Sequence, residues 1–379
     1  MDSDLPVYLS GYHHKITAGH ARRCEKLFSG YIAVHSVDKT HAVLSAEECT
    51  NPVVRKEWRN HSIEEKKEFI RAIKCMGNKP HRPNLTKTRL TPGVPLVNKS
   101  STHYDDWVYL HVDSNQATHV VSPRHRWYLH AFETDMKNTC GFNGTMPYAH
   151  DVYNSPIFES DPEYGLGTWG KEEDDWIVTD GAFANTLRAY PVPHYVRRRF
   201  TPQPFVNNLI FPFEYANKTA FANETFTPEA IEFLVDNFEG DSAAFFAGVD
   251  GPRIQGVHNG LHILMGGQVH DMSDPSPTPS DPLFWFHHGQ LDRTWARWQA
   301  RRPANARSFY GGSVQDLARY DEFPTGESLK TEIRTPVVTA FSGVGPMANT
   351  QMTLPSSGME EQDIRIEAVM SITSNYKNK

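Results

Sequence analysis

The sequence predicts a mainly α protein, a four-helix bundle built around a buried two-metal histidine site, wrapped by long loops and followed by a small β-containing tail. Three observations lead there. Helical periodicity with caps recurs at several places between residues 62 and 303. Histidines number nineteen, and six of them fall into two clusters on or beside those helices. Aromatic residues reach 12%, and the run "DPLFWFHHGQLDRTWARWQ", Asp281 to Gln299, places two adjacent histidines inside an aromatic collar.

Residues 1–45 show no clear periodicity and are set apart as an unplaced N-terminal segment. Residues 46–305 are expected to form the helical metal domain, and 306–379 a β and loop extension. In the domain, Ser62 with Glu65 makes a capping box, and Ile63, Phe69, Ile70 and Ile73 give a helical stripe. Gly77 and Pro80 are expected to stop that helix. "SSTHYDDWVYLHVDS" is a second helix carrying Trp107, Leu110 and His111. "SPRHRWYLHAFETDMKN" is a third, capped by Ser122, with Pro123 in its first turn and His125, Leu129 and Phe132 on one face. From 141 to 226 the chain is rich in Pro, Gly, Asn and aromatics with few periodic runs, a composition that wraps a site. "TPEAIEFLVDNFEG" reads as a capped helix ended by Gly240. "GPRIQGVHNGLHILMGG" is a shorter one starting at Gly251 and ended by Gly266 and Gly267. Pro282 opens the helix of the aromatic run and Pro303 closes it. Beyond about 305, "TEIRTPVVTAFSG" and "DIRIEAVMSI" read as short strands.

The net charge of −7 argues against a nucleic-acid partner, which would require a basic face. No run of eighteen apolar residues occurs, so no membrane span is expected. Four widely spaced cysteines, Cys24, Cys49, Cys75 and Cys140, exclude a C-x-x-C zinc or redox motif and allow two disulfides. Six N-x-S/T sequons, at Asn60, Asn84, Asn98, Asn143, Asn217 and Asn223, point to secretion, although "MDSDLPVYLSGYHH" shows no signal-peptide pattern. Length and composition carry no signal of oligomeric state.

His258 and His262 are four residues apart, so both project from one helix face a turn apart. Two polar groups on a solvated face would share that spacing. The apolar neighbours Val257, Leu261, Ile263, Leu264 and Met265 favour a buried ligand pair instead. Asn259 stands where a metalloprotease would carry its glutamate base. His287 and His288, adjacent on a helix, point about 100° apart, so one is a ligand and the other packs behind it. Asp292, four residues after His288, either bonds within the site or stabilises the helix. His111, His119 and His125 form the matching trio in the first half, about 130 residues before His258. Neutral imidazoles without thiolate or carboxylate suit copper or zinc, and a helical bundle can hold two such ions in its core. Copper in pairs can hold dioxygen between its ions; zinc has no redox chemistry.

These residues resemble a known family. "DPLFWFHHGQLDRTW" is similar to the second copper-site signature of the tyrosinase family, whose pattern takes the second histidine of the pair, His288, as ligand. "HNGLHILMGG" resembles the family's paired ligands, His258 and His262; "HRWYLHAFE" and "YDDWVYLH" resemble the segments that supply His125 and His111. "RKEWRNHSIEEKKEFIRAIKCM" is similar to the opening of short fungal members, and the resemblance runs from about 49 to 312. It implies two copper ions, dioxygen as co-substrate, and oxidation of a small phenolic substrate or o-diphenol to an o-quinone. It also implies that Asn259, with a carboxylate for which Asp250 is the candidate, holds a water as base for monophenols. The bland reading of Asp250 is a cap for a helix starting at Gly251. The segment Pro275 to Pro279 is expected to line the entrance.

The sequence departs from the family around the first copper. Arg124 replaces an aromatic, the stretch from His119 to His125 is short, "PYAHD" stands where "PYW" is common, and Ala117 removes a possible thioether cysteine. The alternatives are therefore a dioxygen-binding or inactive protein with an impaired first site, or an oxidase of o-aminophenols or a natural-product intermediate.

Overall fold

The computed structural model describes residues 54–83, 85, 94–115, 121–206, 217–251, 255–266, 271–306 and 308–309, with the short strands 353–354, 364–365 and 375–376. His119, the rest of the tail and the stretch 1–53 lie outside the described residues.

The architecture is mainly helical, as the sequence predicts. α1 spans Ile63–Asn78 and has the full capping box: Ser62 accepts from the Glu65 amide, and the Glu65 carboxylate accepts from the Ser62 amide. Phe69, Ile70 and Ile73 are buried, but Ile63 is exposed, being in the first turn before the helix reaches the core. Gly77 lies inside α1. Pro80 supplies the stop, because Lys79 before it adopts extended backbone, φ −86° and ψ 143°. α2 covers His103–Asn115 and α3 Val121–Cys140, so that Ser122 and Pro123 both fall in the first turn of α3. A disulfide joins Cys75 of α1 to Cys140 at the end of α3; Cys24 and Cys49 lie outside the described residues.

The described residues from 141 to 226 run through short 3-10 turns and a two-residue antiparallel ladder, β2 (Leu187–Arg188) with β3 (His194–Tyr195). α4 spans Pro228–Asp236 behind the cap Thr227, whose hydroxyl accepts from the Ala230 amide. It ends at Asn237, before Gly240, whose φ of +66° turns the chain into a helix the sequence reading missed. That helix, α5, is Ser242–Asp250, with Asp241 as its cap and Gly251 after its end. Gly251 does not start a helix. Its φ is +76°, and an added Cβ would lie 2.2 Å from the Gly256 nitrogen, so the chain reverses tightly here and α6 begins only at Val257, running to Gly266. α7 is Leu283–Arg301, with Pro282 at its cap and Pro303 just past its end. The tail contributes β4 (Thr353–Leu354) paired with β5 (Ile364–Arg365), and β6 (Asn375–Tyr376) paired in parallel with β1 (Val54–Arg55).

α3 packs on α7, α1 on α2 and α3, and α6 on α7. Their shared interior is aromatic. Trp285 of α7 stacks on Phe132 of α3 with ring centroids 3.7 Å apart, and Trp58 meets Phe69 and Phe286 edge to face. No helix among the described residues is long and apolar enough to cross a membrane.

Two buried ionic clusters pin the helices. Asp292 of α7 accepts from Arg126 of α3 and, at 3.0 Å, from Arg55; Arg55 also lies 3.4 Å from Glu133. Arg126 stacks 3.7 Å from the Trp295 ring and donates to Gln299 at 2.8 Å. Asp292 is thus the structural of its two sequence readings. Near the start of α2, His103 sits between Asp135 of α3 (2.7 Å) and Asp106 (3.3 Å). Burial opposes a charge on His103, but hydrogen bonds with Asp106 and Asp135 outweigh it and raise its pKa.

Replacing Asp292 by Ala leaves two buried guanidinium groups short of a carboxylate, and chemical unfolding is expected to show a loss of about 3–5 kcal/mol. His103 gives a pH signature. Its folded pKa lies above its unfolded value of about 6.5, so its contribution is complete below that pH and fades as pH rises through the folded value. The stability gap between the wild type and His103→Gln should therefore be larger at about pH 6 than at about pH 9.

Candidate metal centre

His111 stands on α2 in a nearly all-round buried helix, beside Trp107, Val108 and Leu110. Its Nδ1 lies 2.7 Å from the carbonyl oxygen of Ser276. A carbonyl only accepts, so Nδ1 carries the proton and Nε2 presents its lone pair. That Nε2 is 3.2 Å from Nε2 of His125, on the early turns of α3. Two nitrogens bound to one ion at imidazole–zinc lengths of about 2.0–2.1 Å and near-tetrahedral angles sit roughly 3.3 Å apart, so the spacing fits a shared metal.

The second cluster repeats the device. His258 Nδ1 is 2.7 Å from Oδ1 of Asp250, and His262 Nδ1 is 2.7 Å from the carbonyl oxygen of Met272. Their rings are 5.1 Å apart on one face of α6. The third member comes from α7, where two observations compete. By distance, ring nitrogens of His258, His262 and His287 lie within 4.8 Å of one another. By hydrogen bonding, His287 is committed: its Nε2 donates to the His258 carbonyl at 2.8 Å. His288 is buried and neither of its ring nitrogens has a partner among the described residues. A buried polar atom left unpaired costs about 1–3 kcal/mol, and a metal ion removes that cost for the one nitrogen of a neutral imidazole that carries the lone pair. Hydrogen bonding thus engages His287 and leaves both ring nitrogens of His288 open among the described residues. Its ring also stacks on His125 at 4.0 Å and lies 5.3 and 5.5 Å from His258 and His262, which bridges the two clusters.

The electrostatics suit neutral ligands. Burial, with His258 nearby, pushes His262 down to about 3. Burial likewise holds His287 and His288 well below the ordinary imidazole range. Phe284 closes the space around the first cluster, its ring 5.2 Å from His111, 5.7 Å from His125 and 4.1 Å from His288. His258 and Asn259 are the half-buried members.

Of the sequence-predicted residues, His111, His125, His258, His262 and His288 come together; His119 lies outside the described residues, as do Ala117 and the side chain of Arg124. Asp250 ends α5 and does not cap α6; its carboxylate orients His258. Asn259 donates at 3.3 Å to the backbone carbonyl of Asp250. In the segment Pro275 to Pro279, Ser276 supplies the acceptor for His111, and the Pro279 carbonyl accepts from Tyr104 at 2.7 Å. Sequence reasoning missed the Ser276 and Met272 carbonyls, since a main-chain acceptor leaves no mark on residue identity.

A centre of histidines gathered from several helices suits a class, the dinuclear copper proteins. Comparison with known proteins agrees. The common central domain of tyrosinase matches residues 101–301, and the chain belongs to the tyrosinase family. Tyrosinase-like protein phomQ1 of Diaporthe leptostromiformis is 28% identical over 348 residues, covering 87% of this chain and 77% of its own length. Tyrosinase P of Aspergillus terreus is 28% identical over 296 residues, with 67% and 77% covered. A polyphenol oxidase variant from Thermothelomyces thermophila shares the fold, with a TM-score of 0.57 at 24% identity and 85% and 87% of the two chains covered. Two copper ions are the family's cofactor, and the donor set found here, imidazole nitrogens with protonated Nδ1 and an orphaned His288, fits them.

Proposed function

We propose that this copper oxidase of the tyrosinase family oxidises phenols and o-diphenols to o-quinones with dioxygen. His111, His119 and His125 would hold one copper, and His258, His262 and His288 the other. The observation that carries the reading is the junction at His288: an unpartnered imidazole from α7 stacked on His125 and facing His258 and His262. The copper pair, when bound, supplies the transfer of two electrons from each diphenol to dioxygen.

The chain does the rest. Ser276, Asp250 and Met272 fix three imidazoles in rotation and tautomer. Phe284, with Tyr128 and Trp285 packed around it, keeps water from the first cluster. Substrate would approach from the side of His258 and Asn259, the half-buried edge. There Asn259 and Asp250 are the groups able to hold a water that takes the proton of a monophenol. A second reading narrows the substrate to a natural-product phenol. It is supported by a relative described as N-acetyl-6-hydroxytryptophan oxidase of Emericella nidulans, 27% identical over 307 residues, with 69% of this chain and 79% of that protein covered.

The reading extends to secretion. The Cys75–Cys140 disulfide suits an oxidising compartment. Asn60, Asn98, Asn143 and Asn217 of the sequons are exposed. Asn98 and Asn217 are arranged alike: each Oδ1 accepts from the hydroxyl two residues on, at 2.6 Å from Ser100 and 3.0 Å from Thr219.

The copper-loaded protein is expected to contain two coppers per chain and to consume oxygen with catechol, while His288→Ala abolishes uptake; undiminished uptake in that variant rejects the site, and oxygen binding without diphenol turnover rejects the oxidase reading. Secreted from a eukaryotic host, the chain should lose mass on treatment with peptide N-glycosidase, with glycopeptides mapping to Asn98 and Asn217. Bare asparagines at both would contradict a secretory route.

A further inference from the structure

The stretch from Asp271 to Asp281 touches both halves of the centre. Its Met272 carbonyl accepts from His262, and its Ser276 carbonyl accepts from His111. One short segment therefore sets the rotation of a ligand in each cluster, and whatever anchors the segment acts on the metals at a distance. Its far end is fixed by Asp281, which accepts from Arg198 at 2.6 and 2.7 Å with both side chains fully buried. Its near end is fixed by Asp271. One carboxylate oxygen of Asp271 lies 2.9 Å from Nε2 of His194, and the other accepts from the Arg197 amide at 3.0 Å. The opposite nitrogen of His194 faces the Val192 carbonyl at 2.7 Å. With an acceptor at each nitrogen, the ring carries both protons and pairs with Asp271 as a cation. The chain that follows β3 runs on along the end of α6: the Arg199 amide donates to the Met265 carbonyl and the Thr201 amide to the Leu264 carbonyl. Asp271 thus buckles the chain at 194–201 to the turn beside α6, one residue before the carbonyl that orients His262.

We propose that Asp271 is a positioning residue for the second copper, acting with His194 through the Met272 carbonyl on His262. The proposal rests on the reading of His262 as a ligand. No atom of Asp271 need touch metal or substrate; removing its charge lets the Met272 carbonyl drift, and the His262 ring with it.

The test is copper release from the loaded, full-length protein into excess chelator, followed as copper remaining per chain, with His262→Ala to mark the phase that belongs to the second site. In Asp271→Asn that phase is expected to run about tenfold faster, with the other at the wild-type rate. His194→Gln, which leaves Asp271 and its bond from the Arg197 amide in place, should accelerate the same phase by a smaller factor and carries the test alone if Asp271→Asn fails to fold. Wild-type release in the folded variants overturns the proposal, as does equal acceleration of both phases, which marks general loosening. Two coppers retained by His262→Ala would instead overturn the ligand assignment on which the proposal stands.

Discussion

An imidazole ligand inside a protein is held in rotation and tautomer when its other nitrogen has somewhere to send its proton. That constraint shapes this structure. His111, His258 and His262 each give their Nδ1 proton to an oxygen 2.7 Å away, and each oxygen comes from a different place: a loop carbonyl, the carboxylate at the end of α5, and the carbonyl of a turn. The acceptor fixes the tautomer and the ring rotation at once, which is why the ring nitrogens meet without further adjustment. The irregular segment between α6 and α7 supplies the two carbonyl oxygens, those of Ser276 and Met272.

The same helix that carries His288 carries Asp292 one turn on. The histidine stacks on His125, and the carboxylate is held by Arg126 and Arg55. A buried carboxylate held by two guanidinium groups is a poor source of net stability compared with apolar packing, but it resists rotation and sliding of α7 against α3. His125 and Arg126 are neighbours on α3, so the contact that stacks His125 on His288 and the contact that binds Arg126 to Asp292 report the same register between two helices. A shift of either helix would break both.

Much of this was legible from residue order. The capping box at Ser62 and Glu65, the prolines around α7, and the i, i+4 pair His258 and His262 all express local rules, and each appears where those rules place it. The extra helix Ser242–Asp250 was not seen, because "SAAFFAGVD" is apolar nearly all round and shows no stripe; its cap Asp241 and the following Gly251 were the available signals. Reading Gly251 as a helix start had a consequence, since it offered a cap as the alternative role for Asp250 and gave no sign of its bond with His258. The pairing of Arg55 with Asp292 across 237 residues, and of Ser276 with His111 across 165, obeys no local rule at all. Such contacts are set by which surfaces the packed helices bring together.

The adjacent histidines show how far a local rule reaches and where packing takes over. Neighbours on a helix diverge by about 100°, which tells that His287 and His288 serve different directions but not which of them serves the metal. Packing answers. His287 points to α6 and donates to the His258 carbonyl, joining α7 to the backbone that carries a proposed ligand. His288 points between the clusters, walled by Phe284 and stacked on His125. The aromatic collar explains why both can be tolerated: it supplies bulk and dryness without donors or acceptors that would compete for the ring nitrogens. An imidazole in such a wall keeps its lone pair unspent, and burial keeps it neutral. The pair is one device in two halves, with one ring spent on holding helices in place so that the other stays unspent.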